Sequence, residues 1–132
     1  MKIRLWGVRG SIPTAGPETE YYGGNTSCVA VWHDDSLLVL DGGTGIRGLG
    51  SSVTPSIKRI DILLTHLHLD HIQGLGFFSQ LFDPSKEIHI WGPHSASQSL
   101  FSRLSRYLSP PLFPVLLRDL PCKPHVHEIG NS

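Results

Sequence analysis

The sequence predicts an α+β domain, and three observations carry the prediction. Two β-type runs, Ser27 to His33 and Leu37 to Leu40, flank an Asp34-Asp35-Ser36 turn, the pattern of an antiparallel hairpin. The apolar run Ile60 to Leu64 leads through a polar stretch into a segment able to form a helix. Leu100, Leu104 and Leu108 recur at every fourth position with Phe101 beside them, which marks an amphipathic helix over 95–108. With 132 residues, the chain 1–132 is read as a single domain.

Taken in order, Lys2 to Val8 sets Ile3, Leu5 and Gly7 against Lys2, Arg4 and Trp6, as a half-buried opening strand would. A long loop rich in glycine and proline follows, from Arg9-Gly10-Ser11 to Gly23-Gly24-Asn25. Loops of that length are either plain surface connections or functional. The hairpin comes next. Its second arm, Leu37 to Leu40, is continuously apolar and is expected to be buried on both faces. It ends in Asp41-Gly42-Gly43-Thr44-Gly45, where the carboxylate is expected to be held by backbone amides or to face a site. That glycine run lacks the GxxxxGK[ST] and GxGxxG spacings, so nucleotide binding of those types is excluded. Ile46 to Leu49 fits a short helical turn, and Ile60 to Leu64 a strand. His71 to Phe82 fits a helix burying Leu75, Phe78 and Leu81 or Phe82, with Asp83-Pro84 as its stop. Glu87 to Trp91 alternates as a strand, and His125 to Ile129 reads as a last one before Gly130-Asn131-Ser132.

Lys plus Arg number 11 and Asp plus Glu number 11, so no global basic field marks a nucleic-acid binder. A local basic patch is still compatible with Arg103, Arg106 and Lys58-Arg59. The opening residues are too short and too charged for a signal-peptide core, and no apolar run reaches membrane-spanning length. Cys28 and Cys122 lie far apart and outside any CxxC pair. They read as reduced, buried thiols of a cytoplasmic protein.

The chemistry concentrates in Thr65-His66-Leu67-His68-Leu69-Asp70-His71. A lone histidine is usually a satisfied core or surface residue. Three imidazoles and a carboxylate within six consecutive residues are different, because burying them without a cation would cost several kcal/mol in unpaired polar groups. Imidazole and carboxylate suit zinc, iron or manganese. An extended continuation of the strand puts His66, His68 and Asp70 on one side and turns Leu67 and Leu69 into apolar packing. His71 joins the others only if the chain turns there, as at the start of a helix. The expected order is strand, ligand loop, helix.

His66-Leu67-His68-Leu69-Asp70-His71 matches the HxHxDH motif of the metallo-β-lactamase superfamily, and the resemblance runs along the whole chain. Gly7-Val8-Arg9-Gly10-Ser11, Gly23-Gly24-Asn25-Thr26-Ser27-Cys28 and Leu40-Asp41-Gly42-Gly43-Thr44-Gly45 resemble the branch with transfer-RNA 3′-processing nucleases and small cyclic phosphodiesterases. The resemblance implies an αββα sandwich of which this chain is the N-terminal half, a single, incomplete (truncated) domain. It also implies two divalent metal ions, zinc with manganese or iron as alternatives. His66 and His68 would bind the first, and Asp70 and His71 the second, with Asp41 supporting the ligand loop from beside it. A water between two cations loses a proton easily and becomes the nucleophile. Asp70 would also be catalytic by orienting it. The implied substrate is a small phosphodiester or an RNA end.

The family completes its site with a further His, a bridging Asp and a final His from the second half of the fold. His125 and His127, with Glu128 beside them, are the late candidates here, and the resemblance places them in a strand before the third-ligand loop. Two protein ligands per cation make an open, weak site, whereas catalytic zinc usually keeps three. Little or no turnover is therefore expected from the isolated chain. The alternatives are a non-catalytic metal-binding fragment, a subunit completed by another chain, or a hydrolase of a lactone, thioester or lactam. Half a sandwich leaves one sheet face uncovered, which a homodimer would bury.

Overall fold

A computed structural model describes residues 1–130; the closing Asn131-Ser132 lie outside the described residues. Six strands form one sheet in sequence order. They are β1 (Lys2–Gly7), β2 (Cys28–His33), β3 (Ser36–Leu40), β4 (Arg59–Leu63), β5 (Glu87–Pro93) and β6 (His125–Ile129). Strand β2 runs antiparallel to both β1 and β3, and β3 to β6 are mutually parallel. Parallel neighbours need crossovers. These contain α1 (Ile46–Gly50), α2 (Leu69–Ile72) and α3 (Leu100–Tyr107).

The crossovers share one face of the sheet. Leu37, Val39, Ile60, Ile62, Ile88 and Ile90 form a single core with Ile46, Leu49, Leu75, Phe78, Leu81, Leu100 and Leu104. Helix α3 starts at an N-cap, where Ser99 Oγ accepts the Ser102 N–H at 3.1 Å, and so begins later than the apolar spacing suggests.

The other face is open. Strand β3 is not buried on both sides as its composition suggests: Leu37 and Val39 are buried while Leu38 is 37% exposed. Strand β1 lies at the sheet's edge, and Ile3 and Leu5, expected inside, are 62% and 64% exposed on that same open face, opposite Val31 and Val29. At the β4–β6 end this face becomes polar. Arg59 binds Asp61 through two bonds of 3.0 Å and reaches Glu87 at 3.0 Å, and the Trp91 indole N–H donates to Asp61 at 3.0 Å. The Arg59–Glu87 and Trp91–Asp61 pairs cross between strands and support the register of β4 on β5. Arg59 foremost, then Trp91, holds Asp61 below the usual carboxylate range.

The expected helix over 71–82 is broken. After α2 the chain continues as 3-10 turns at Leu75–Phe77 and Ser79–Phe82. Leu75, Phe78 and Leu81 are buried as the spacing implies, whereas Phe82 is 40% exposed. The glycines are there for close packing: a Cβ on Gly74 would lie 2.2 Å from Gly43 O. The backbone thus runs against the Gly42-Gly43 segment, and Gly74 N–H donates to Gly42 O at 2.9 Å. Cys28 and Cys122 are free and buried, and burial pushes their thiols up to about 12 and about 11.

Candidate metal centre

The end of β3 and the end of β4 build the site together. Asp41 leaves β3 with φ 66, a left-handed conformation that Asp tolerates better than most residues. That turn aims a buried carboxylate, its side chain only 7% exposed, at the neighbouring strand end. Asp41 Oδ1 accepts the Thr65 N–H at 2.9 Å, and the Thr65 hydroxyl lies 3.0 Å from both Asp41 oxygens. Asp41 Oδ2 meets His71 Nδ1 at 3.0 Å. Gly42 N–H donates to His71 O at 2.7 Å, which ties α2 to the same turn. Two threonines brace the segment behind it: Thr26 N–H donates to Thr44 Oγ1 at 2.9 Å and Thr44 N–H to Thr26 Oγ1 at 2.8 Å. The GGNTSC and DGGTG strings are thus one scaffold.

His66, His68, Asp70 and His71 are gathered, though not along one extended edge. His68 is the N-cap of α2 with extended φ and ψ, and Asp70 and His71 lie within the helix. The ring of His66 lies 4.6 Å from that of His68 and 4.1 Å from that of His71, centre to centre. His71 Nε2 faces Asp70 Oδ2 at 3.5 Å. Leu67 packs against the core as expected, but Leu69, on the outer side of the first helical turn, is 56% exposed.

Three of the four ligand candidates, His66, Asp70 and His71, are oriented from behind. Thr65 Oγ1 lies 3.0 Å from His66 Nδ1, and Asp41 takes His71 Nδ1, so both rings keep Nε2 for the cluster. Asp70 Oδ2 accepts the Ser11 N–H at 3.1 Å, which leaves Oδ1 unencumbered. This bond, with His71 and His66 nearby, holds Asp70 below the usual carboxylate range. The long loop after β1 therefore reaches the site. Ser11, at φ 70, gives no local sequence signal of that contact. Thr65 could have been found as the residue between the strand and the first histidine.

In kind these donors fit a divalent cation: imidazole nitrogens and a carboxylate, with outer partners behind His66, Asp70 and His71. In number they are short. Among the described residues, no three His, Cys, Asp or Glu side chains are set around one cation position. His125 and His127 do not supply the missing donor, because their partners lie elsewhere. His127 Nε2 pairs with His89 Nδ1 at 2.7 Å and stacks on Trp91, while His125 stacks on His89. Glu128 is engaged by His94 and by the Leu100 N–H. No helix among the described residues is long and apolar enough to cross a membrane.

Comparison with known proteins places this arrangement. Residues 21–120 match the family model of the metallo-beta-lactamase superfamily. A ribonuclease Z of Thermococcus kodakarensis is 29% identical over 112 residues, covering 82% of this chain and 33% of the relative. Human tRNase Z, short form, superposes with a TM-score of 0.67 at 22% identity, over 100% of this chain and 46% of the human one. A diphosphatase of the PhnP family superposes at 0.62 with 18% identity, covering 98% of this chain and 50% of that one. The chain thus spans about a third of the ribonuclease Z relative and about half of the two structures. The strand–HxHxDH–helix unit, the Asp41 turn beneath it and the family match over residues 21–120 together establish that the chain belongs to the metallo-beta-lactamase superfamily, with its similarity on the ribonuclease Z side.

Proposed function

We propose that this chain carries the HxHxDH portion of the metal site of a phosphodiester hydrolase of nuclease type, with an RNA end as substrate. The observation that supports it best is the orientation of the cluster. Asp41 and Thr65 engage the Nδ1 sides of His71 and His66, and Ser11 engages one oxygen of Asp70, so the free donor atoms are left to the cluster. His66 and His68 would hold one cation, and Asp70 and His71 a second. Zinc, manganese and iron all suit these donors. Bound there, two cations would acidify a water and neutralise charge developing on the phosphate oxygens.

This chain's residues supply orientation and proton placement. Asp41 keeps the His71 proton on Nδ1 and its lone pair on Nε2. Asp70, with Oδ2 tied to Ser11, has Oδ1 for orienting the attacking water. An RNA end is favoured over a small phosphodiester by the sequence likeness to ribonuclease Z. The two free cysteines fit a cytoplasmic setting.

Two donors per cation fall short of the three usual in catalytic zinc, so this chain, as one incomplete domain, is expected to turn over slowly by itself. The test is hydrolysis of a labelled RNA and an aromatic phosphodiester by the 132-residue chain with added zinc or manganese. Slow, chelator-sensitive cleavage that is lost in His68→Ala and Asp70→Asn agrees with the reading. Fast turnover by the chain alone would overturn the two-donor account, and faster cleavage of a thioester or lactone would replace the phosphodiester. The open sheet face favours a second reading, in which two copies of the chain pair through Ile3, Leu5 and Leu38. Sedimentation across a concentration series distinguishes monomer from dimer.

A further inference from the structure

Between Glu87 and Asp119 the sequence contains Arg103, Arg106 and Arg118 and no carboxylate. The fold sorts the chain's clustered basic residues. Arg59 is taken up by Asp61 and Glu87 on the open sheet face. Arg103 and Arg106, one turn apart on α3, form no ion pair among the described residues. They line a pocket of about 450 Å³ with Leu67, Ile72, Tyr107 and Leu112.

The pocket adjoins the candidate metal centre through its walls. Leu67 stands between His66 and His68, and Ile72 follows His71. The Tyr107 hydroxyl donates to Gln73 O at 2.7 Å, which fastens α3 to the end of α2 and holds the ring in place. Arg103 is anchored on one side only: Nη2 donates to Pro93 O at 2.6 Å, and Nη1 has no protein acceptor among the described residues. The nearby carboxylate is Glu128. It is held below the usual range by the Leu100 N–H first, then by His94 and Arg103, and its oxygens are already engaged by Leu100 and His94. Arg106 is exposed.

We propose that this pocket is a nucleic-acid subsite: Arg103 and Arg106 bind a backbone phosphate of the RNA strand whose end reaches the His66–His71 cluster. The inference rests on the RNA reading above. Two guanidiniums without protein carboxylates suit a phosphate, which accepts their forked N–H donors. The Tyr107 ring and the apolar floor suit the base attached to that phosphate. An acidic peptide would use the arginines but leave the aromatic and apolar walls without a matching group.

The experiment measures binding of a fluorescein-labelled single-stranded RNA 12-mer to the 132-residue chain by anisotropy, with chelator present so that no cleavage occurs. Arg106→Gln is the main variant, since its exposed side chain can change without disturbing the core. Arg118→Gln, also on the surface but outside this pocket, makes the same charge change. Losing one phosphate contact should weaken binding roughly eightfold in about 50 mM monovalent salt and lower the salt slope by about 0.7. Arg118→Gln should stay within about twofold of wild type, and Arg103→Lys should fall between wild type and Arg106→Gln. Equal losses in Arg106→Gln and Arg118→Gln would overturn the subsite, as would wild-type binding no tighter than that of Arg106→Gln. Arginine-dependent binding without metal-dependent cleavage would leave the subsite standing while removing the hydrolytic reading.

Discussion

Replacing Asp41 by Asn tests how the site is held. The residue is 5% exposed, and its side chain serves Thr65 N–H, Thr65 Oγ1 and His71 Nδ1 at 2.9 to 3.0 Å. Asparagine keeps the volume and one acceptor, which can still take the Thr65 N–H. It places an amide N–H₂ where Oδ2 meets His71. The bond to a charged acceptor is lost there, worth about 1.5–3 kcal/mol in a site this enclosed. For a domain of this size that corresponds to a fall in Tm of roughly 5–12 °C. The amide donor also favours the His71 tautomer with its proton on Nε2, the nitrogen needed by a cation. Metal affinity should fall by about 10- to 100-fold, as for other outer-partner changes. The assay pairs thermal unfolding with competitive zinc titration at a temperature where both proteins are folded. Lower Tm with unchanged zinc affinity would refute the orienting role and leave Asp41 as scaffold. If neither quantity changed, the geometry described here would be wrong.

Gly74→Ala should destabilise the fold by roughly 3 kcal/mol, because the new methyl meets Gly43 O at 2.2 Å and Ile46 Cγ2 at 2.8 Å; urea midpoints check it. Leu104→Ala, at a fully buried core position, should cost about 3 kcal/mol with an unchanged urea slope. His127 is held below the ordinary imidazole range by burial first and then by His89 and His125, so below about pH 6.5 the unfolded chain binds the proton more readily. Stability should therefore fall as pH drops from about 7 to about 5, and His127→Gln should flatten the pH series.

The residues that decide the fold locally are legible in the sequence. The hairpin turn at Asp34-Asp35, the short α1 and the strand–loop–helix order around His66 all follow from period and turn chemistry. The broken 71–82 segment was not, because the apolar spacing of Leu75, Phe78 and Leu81 survives in 3-10 turns that bury the same residues. What breaks it is the approach of Gly74 to Gly43, a contact between distant positions. Leu38, Ile3 and Leu5 misled for another reason: apolar composition says that a face seeks cover but not which described element covers it. At the site, the gathering of His66, His68, Asp70 and His71 is legible from their density in one stretch. The Ser11 N–H on Asp70 is not, since it joins a backbone donor to a residue 59 positions away.

The measurement that bears most directly on the account is metal content per chain, by elemental analysis of freshly purified protein, with His68→Ala alongside. A weak site is the predicted result: zinc, manganese or iron present below one ion per wild-type chain and sharply reduced in the variant. No bound metal in either protein, or equal metal in both, would contradict the claim that His66, His68, Asp70 and His71 are gathered to hold a cation.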